Sequence, residues 1–189
     1  QGNLFYSILK IVDCKRPPIL FLENVKNLIS HDKGNTWKTI VKEINDREYI
    51  LFSKIINANY CVPQNRQRIY IVCFDKRIFG NEVNFKFPDI KANKKILLGS
   101  ILSKNADKKY MLSDKLWSYL QRYAQKHKEK GNGFGFGLND ENSVTRTMSA
   151  RYYKDGAEIL IEDVKFKNPR RLQPSEAQLL MGFNHSYAK

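Results

Sequence analysis

Glu23 is the first residue whose setting suggests chemistry. It follows a short apolar run, Ile19-Leu20-Phe21-Leu22, which itself follows Pro17-Pro18. That run reads as a buried strand. The carboxyl ends of strands are where α/β folds place ligands. Partial burial there raises a carboxyl pKa, so a group in that place can hold and donate a proton near neutral pH. Taken alone, Glu23 reads first as a surface-edge glutamate paired with a lysine.

Three other groups stand out. In Val62-Pro63-Gln64-Asn65-Arg66-Gln67-Arg68 the two arginines are two apart, and in an extended segment they point the same way. Their forked donors suit a phosphate, a base carbonyl oxygen or a carboxylate. Solvated arginines at the start of an exposed strand account for them equally well. Thr145, Arg146, Thr147, Ser149, Arg151, Tyr152, Tyr153 and Lys154 form a dense polar and aromatic cluster. Such side chains read base edges and phosphates, and they also line solvated hairpins. Arg171-Leu172-Gln173-Pro174-Ser175-Glu176 opens a short helix, with Pro174 at its first position. Glu176 lies three after Gln173, as in a capping box, but Gln is a poor cap.

The elements that must position these residues begin with the strand at 19–22. An amphipathic helix follows over 35–45, with Trp37, Ile40, Val41 and Ile44 on one face. Strands follow at 49–56 and 69–74. Strand, helix, strand, loop, strand is the rhythm of half an α/β sheet. Such a half exposes an edge strand and an apolar face, and is expected to pair with another chain or behave poorly alone.

The texture changes near residue 80. Residues 113–128 read as a helix capped by Ser113, with Leu116, Trp117, Leu120 and Tyr123 as its apolar stripe. The run Gly131-Asn132-Gly133-Phe134-Gly135-Phe136-Gly137 is expected to be mobile. Its spacing fails the dinucleotide fingerprint. It suits a backbone that approaches DNA closely, or a flexible surface loop. Residues 144–161 read as irregular strands and turns, with Asp155-Gly156 a hairpin signal. A short helix over 174–181 ends the pattern.

Composition narrows the partners. The 189 residues carry 33 Lys plus Arg against 19 Asp plus Glu, a net charge of +14. Both sides of the boundary near 80 share the excess. It favours a polyanion, nucleic acid before a membrane surface. Hydrophobic residues at 42% and aromatics at 12% exclude a disordered basic tail. No apolar run approaches the ~20 residues of a membrane span. Cys14, Cys61 and Cys73 lack the spacing of a disulfide framework or a zinc site, so no metal is expected and a reducing cytoplasm fits.

In order and spacing, the blocks together resemble the second half of the bacterial DNA cytosine-5 methyltransferases. Glu23-Asn24-Val25, Val-Pro-Gln-x-Arg-x-Arg and Arg171-x-x-Pro174-x-Glu176 correspond to that family's sixth, eighth and ninth blocks. The chain between the last two corresponds to its target-recognition region. Residues 143–161 look like those of the CCWGG-type enzymes.

The resemblance implies an α/β fold: the C-terminal half of a Rossmann-like methyltransferase sheet (1–80), a small, mostly irregular-β target-recognition domain (81–172), and a helix (173–189) returning to the catalytic domain. In this family a cysteine attacks carbon 6 of a flipped cytosine, and carbon 5 takes a methyl group from S-adenosylmethionine. By resemblance Glu23 engages ring nitrogen 3 and the exocyclic amine, Arg68 holds the carbonyl oxygen, and Arg66 contacts phosphate or orders the site. Gln64 and the 145–154 cluster contact double-stranded DNA. Asn24, Arg171 and Glu176 are structural.

The departures carry equal weight. The Pro-Cys pair of the family nucleophile does not occur in the sequence, nor does the glycine-rich methyl-donor block or the family's last block. Cys61 stands where a small residue is usual, and Gln173 where a Thr cap is. The chain by itself is therefore expected to be inactive and to need the N-terminal half of the enzyme, in cis or as a second chain. A bacterial cytoplasmic restriction-modification system is the expected setting. The alternatives are a recognition subunit without chemistry of its own and an RNA cytosine methyltransferase of the same family.

Overall fold

The computed structural model describes residues 3–90, 95–133, 135–154 and 156–184. It is mixed helix and strand, and divides into two compact units. The first is Gln1–Ile56 with Gln67–Asp89, and the second is Asn57–Arg66 with Ile90–Lys189.

In the first unit, α1 (Asn3–Lys15) leads into β1 (Ile19–Val25), α2 (Asn35–Asp46) and β2 (Tyr49–Asn57). After β3 (Gln64–Asn65), which belongs to the second unit, the chain returns as β4 (Gln67–Asp75) and α3 (Lys76–Phe79). The sheet order is β1-β4-β2, with β1 and β4 antiparallel and Glu23 opposite Tyr70. Strand alternation then sorts the side chains. Leu20, Leu22, Ile69, Ile71 and Cys73 face a core completed by Leu9 and Val12 of α1 and Ile44 of α2. Helix α1 was not expected from the sequence, although Phe5, Ile8, Leu9 and Val12 have helical spacing.

The opposite sheet face carries Ile19, Phe21, Glu23 and Val25 beside Arg68, Tyr70, Val72 and Phe74. At one end it is covered by rings: Phe79 and Phe85 lie 5.3 and 5.4 Å from Phe74. At the other end Phe21 stacks on Tyr70 yet stays 67% exposed. Strand β1 is one of the sheet's two edges, β2 being the other.

A buried carboxylate joins the two ends of the unit. Asp75 receives Arg16 Nε at 2.7 Å and Nη2 at 2.9 Å, and caps α3 through the Arg77 N–H. The Arg16 hydrogen bond, with help from the Arg77 N–H, holds the Asp75 carboxyl below its ordinary value of 3.8. A lowered folded-state pKa contributes stability above the unfolded value and loses it as pH falls through the folded one. Asp75→Asn should therefore lower the urea midpoint at pH 6, and its deficit against wild type should shrink below pH ~3.8. A deficit that grew on acidification would contradict this origin.

The second unit holds α4 (Asp114–Glu129), β5 (Leu138–Asn139), β6 (Thr145–Arg146), β7 (Leu160–Ile161) and α5 (Pro174–Leu180). Its strands are two-residue parallel pairs, β3 with β6 and β5 with β7. The hairpin expected around Asp155-Gly156 is not the arrangement found, because β6 and β7 do not pair with each other. Asp155 itself lies outside the described residues. The core joins Leu98, Tyr152, Ile159, Ile161 and Leu172 to Leu180 of α5.

The glycine run, apart from Phe134, which lies outside the described residues, has structural work at several positions. Gly131, with φ of 70°, ends α4. Its N–H bonds Lys128 O and that of Asn132 bonds His127 O, a Schellman closure. A Cβ on Gly137 would lie 2.2 Å from Glu158 O, whereas one on Gly133 would meet nothing. Gly137→Ala should cost roughly 1–3 kcal/mol by forcing β5 from β7. Gly133→Ala should be neutral or slightly stabilising. Equal urea midpoints for the two variants would refute this account.

Candidate functional site

The C-terminal end of β1 carries the site in the first unit. Glu23 and Arg68 sit on the same sheet face, on neighbouring strands two registers apart. Arg68 Nε lies 3.0 Å from Glu23 Oε1, with side chains 15% and 41% exposed respectively. The partial burial expected of the carboxylate is thus slight. What orients Glu23 is the arginine. Arg68 is itself steadied by Nη1 donating to Gln67 O at 2.9 Å.

Beside Glu23 opens a mainly apolar cleft of about 810 Å³, lined in part by Phe5, Ile8, Leu22, Asn24 and His31. Asn24 Oδ1 accepts the Val25 N–H at 2.8 Å, shaping the strand's end. At the rim, Asp32 and Lys33 have φ of 50° and 54° and precede Gly34 at 88°. Two successive non-glycine residues in the left-handed region are strained. The turn delivers the chain into α2, and His31 Nδ1 lies 2.7 Å from Thr36 Oγ1.

Arg66 belongs to the second unit. The segment before β4 is not one extended strand: β3 pairs with β6, and the Arg66 N–H reaches back to Gln64 O. The extended run that would point Arg66 and Arg68 the same way is interrupted at Arg66. Asn57, which carried no signal in the sequence, shapes this turn. Its Oδ1 accepts the Arg66 N–H at 3.0 Å and its Nδ2 donates to Asn65 Oδ1.

The candidate DNA-reading residues separate by burial. Gln64 is fully buried, donating to Leu180 O at 3.0 Å and accepting the Met148 N–H at 3.0 Å. Thr145 is fully buried and donates to Pro63 O. Tyr152 is buried; its hydroxyl donates to Ile159 O and accepts the Leu172 N–H, both at 2.8 Å. Burial pushes its pKa up to about 12. Buried in this way, these three hold the unit together and do not present the DNA contacts expected of them. Arg146, Ser149, Arg151, Tyr153 and Lys154 are exposed. Tyr153 is 74% exposed, with Lys154 Nζ 5.4 Å from its ring centre. Thr147 is half-buried and bonds Asn65 O.

Glu176, one of the residues expected to be structural, sits in a buried ion pair. Arg170, not Arg171, is the partner of Glu176. Its Nη1 and Nη2 reach the two carboxylate oxygens at 2.8 and 2.9 Å, and its Nε reaches Asp163 at 3.1 Å. Glu176 also accepts the N–H groups of Ser103 and Gln173, each at 2.8 Å. Among the described residues, Arg171 Nε is buried without a hydrogen-bond partner.

Burial pushes the Cys73 thiol up to about 12, so it stays protonated at neutral pH and is no nucleophile. Among the described residues no His, Cys, Asp and Glu cluster could hold a metal, and no helix is long and apolar enough to cross a membrane.

The family model for C-5 cytosine-specific DNA methylases matches residues 1–189. The chain belongs to that family. This methylase chain is 46% identical over 189 residues to the type II methyltransferase M1.ScrFI of Lactococcus lactis subsp. cremoris, covering 99% of the chain and 48% of the relative. It is 48% identical over 185 residues to M.SsoII of Shigella sonnei, covering 97% and 48%. The methylase chain thus spans about half the length of these curated relatives. Its fold is similar to the crystal structure of the S. pombe Dnmt2 methyltransferase, with a TM-score of 0.69 and 17% identity, over 96% of this chain and 60% of that one.

Proposed function

We propose that this chain is the base-holding and DNA-recognising part of a DNA cytosine-5 methyltransferase, working in a bacterial cytoplasm within restriction-modification. Residues 1–80 are its share of the catalytic domain, residues 81–172 form the recognition domain, and residues 173–189 belong to the return segment. The observation that carries the reading is the Glu23–Arg68 pair at 3.0 Å beside an open cleft at a strand's C-terminal end. A carboxyl and a forked cation side by side match the polar edge of cytosine. Glu23 faces ring nitrogen 3 and the exocyclic amine, and Arg68 donates to the carbonyl oxygen. A base can present that edge only after leaving the stack. Arg66, in the second unit, contacts phosphate. Arg146, Ser149, Arg151, Tyr153 and Lys154 are the exposed groups placed to meet bases and backbone.

S-adenosylmethionine supplies the methyl group in this family. The residues at hand do not fit it: Gly131 and Gly137 cap a helix and admit a carbonyl, and the run forms no strand-to-helix cradle. By this reading the chain works with the other half of the enzyme and is inactive alone.

Competition between duplex DNA and tRNA tests the choice of substrate. Duplex DNA should hold the protein in the presence of equal tRNA, with affinity falling steeply as salt rises. Displacement by tRNA at equal concentration would point to the RNA-directed branch instead.

A further inference from the structure

The outer face of α4 is a surface that the base-reading residues do not use. Helical periodicity places Lys115, Tyr119, Arg122, Tyr123, Lys126 and the C-capping Lys130 in one stripe. The opposite side packs inward. Trp117 meets Phe136 at 4.7 Å, and Ala124 lies against Gly135. Tyr123, expected among the inward residues, is instead 38% exposed and stacks on Tyr119, itself 52% exposed, with ring centres 6.0 Å apart.

The stripe is electrically one-sided. Of the two carboxylates of α4, Asp114 lies off it and Glu129 lies at its edge, one turn beyond Lys126; both are engaged by other groups. Asp114 binds Lys167 and Asn168, and Glu129 accepts from Gln125. Among the described residues, Lys115, Arg122, Lys126 and Lys130 have no ion-pair partner. Four unneutralised cations around two hydroxyl-bearing rings are the groups that contact sugar and phosphate. At 1.5 Å per residue the stripe runs about 22 Å, the length of roughly six base pairs of duplex. A helix that presents only cations and phenols offers little to distinguish one base from another.

We infer that the Lys115–Lys130 face of α4 is a second DNA-contact surface, which grips the phosphate backbone of duplex DNA without reading its sequence. It rests on the DNA-directed reading above. It assigns part of the chain's positive charge to affinity, separate from the groups around Tyr153.

The test uses the full chain, duplex DNA of about 30 base pairs and two sequences, with binding followed by fluorescence anisotropy across a salt series. The variant is Lys115→Gln/Arg122→Gln/Lys126→Gln. All three side chains are exposed and Gln is a comparable helix former, so its thermal unfolding should match wild type. A single Lys126→Glu variant provides a second, independent reading. Affinity should fall about tenfold or more on both sequences alike, and the salt slope should flatten by up to ~0.9 per lost phosphate contact. Unchanged affinity and slope in variants that fold as wild type would overturn the inference while leaving DNA binding intact. Failure of the wild-type chain to bind duplex DNA at all would sink both the inference and the reading beneath it.

Discussion

Glu23→Gln should abolish most methyl transfer while leaving DNA binding nearly intact. The context is the chain substituted for its matching half in M1.ScrFI, to which it is 46% identical. A glutamine keeps the size and one hydrogen-bond acceptor of Glu23 but has no acidic proton to give. Proton transfer by a positioned side chain contributes about 10²–10⁴-fold, so the fall should be about 100-fold or more. Arg68, 3.0 Å away, loses its charged partner but keeps its bond to Gln67 O. Arg68→Lys should also impair the reaction, since an ammonium cannot reproduce the planar fork. The discriminating readout is single-turnover methyl transfer beside anisotropy binding on the same duplex. A large loss of affinity with normal turnover of bound DNA would assign Glu23 to docking and not to the base.

Glu176→Ala should be the most destabilising single change in the second unit. Arg170 and Glu176 are each 1% exposed. Their pair is saturated, with two guanidinium bonds and two backbone N–H groups on one carboxylate. Removing the carboxylate strips the buried Arg170 of both its Glu176 bonds, leaving Asp163 as its carboxylate partner, and takes the acceptor from two part-buried N–H groups. Breaking such a pair from one side costs about 3–5 kcal/mol, a large part of the 5–15 kcal/mol that holds a typical domain folded. Replacing both partners at once, as Arg170→Met/Glu176→Leu, should recover much of the loss, because the desolvated charges disappear together. Arg171→Ala should cost far less. Urea unfolding followed by Trp117 fluorescence, with Trp37 replaced by Phe, reports on this unit. If Arg171→Ala proved as costly as Glu176→Ala, the pairing would be wrong.

How much of this was legible depended on the range of the interactions. The strand that carries Glu23 and the helix that starts at Asn35 are readable because apolar periodicity is local. Helix α1 was equally local and was missed. The two-residue parallel pairs were not readable at all, since Gln64 meets Thr145 across 81 positions of sequence. Side-chain type then misled. Gln64, Thr145 and Tyr152 are polar, so they read as outward residues, yet each is buried with its polar atoms matched to backbone groups. In the adjacent Arg170 and Arg171, only three-dimensional register tells which one turns inward. The Glu23–Arg68 pairing follows from an antiparallel register that the motif spacing does not encode.

The central claim is that this chain holds the target base and grips DNA, and that methyl transfer needs residues it does not carry. Transfer of labelled methyl from S-adenosylmethionine to cytosine in duplex DNA tests it most directly. The isolated chain should give no incorporation above background, and the same chain joined to the complementary half of M1.ScrFI should methylate carbon 5. Robust turnover by the isolated chain, or a joined enzyme as active with Glu23→Ala as without it, would contradict the account.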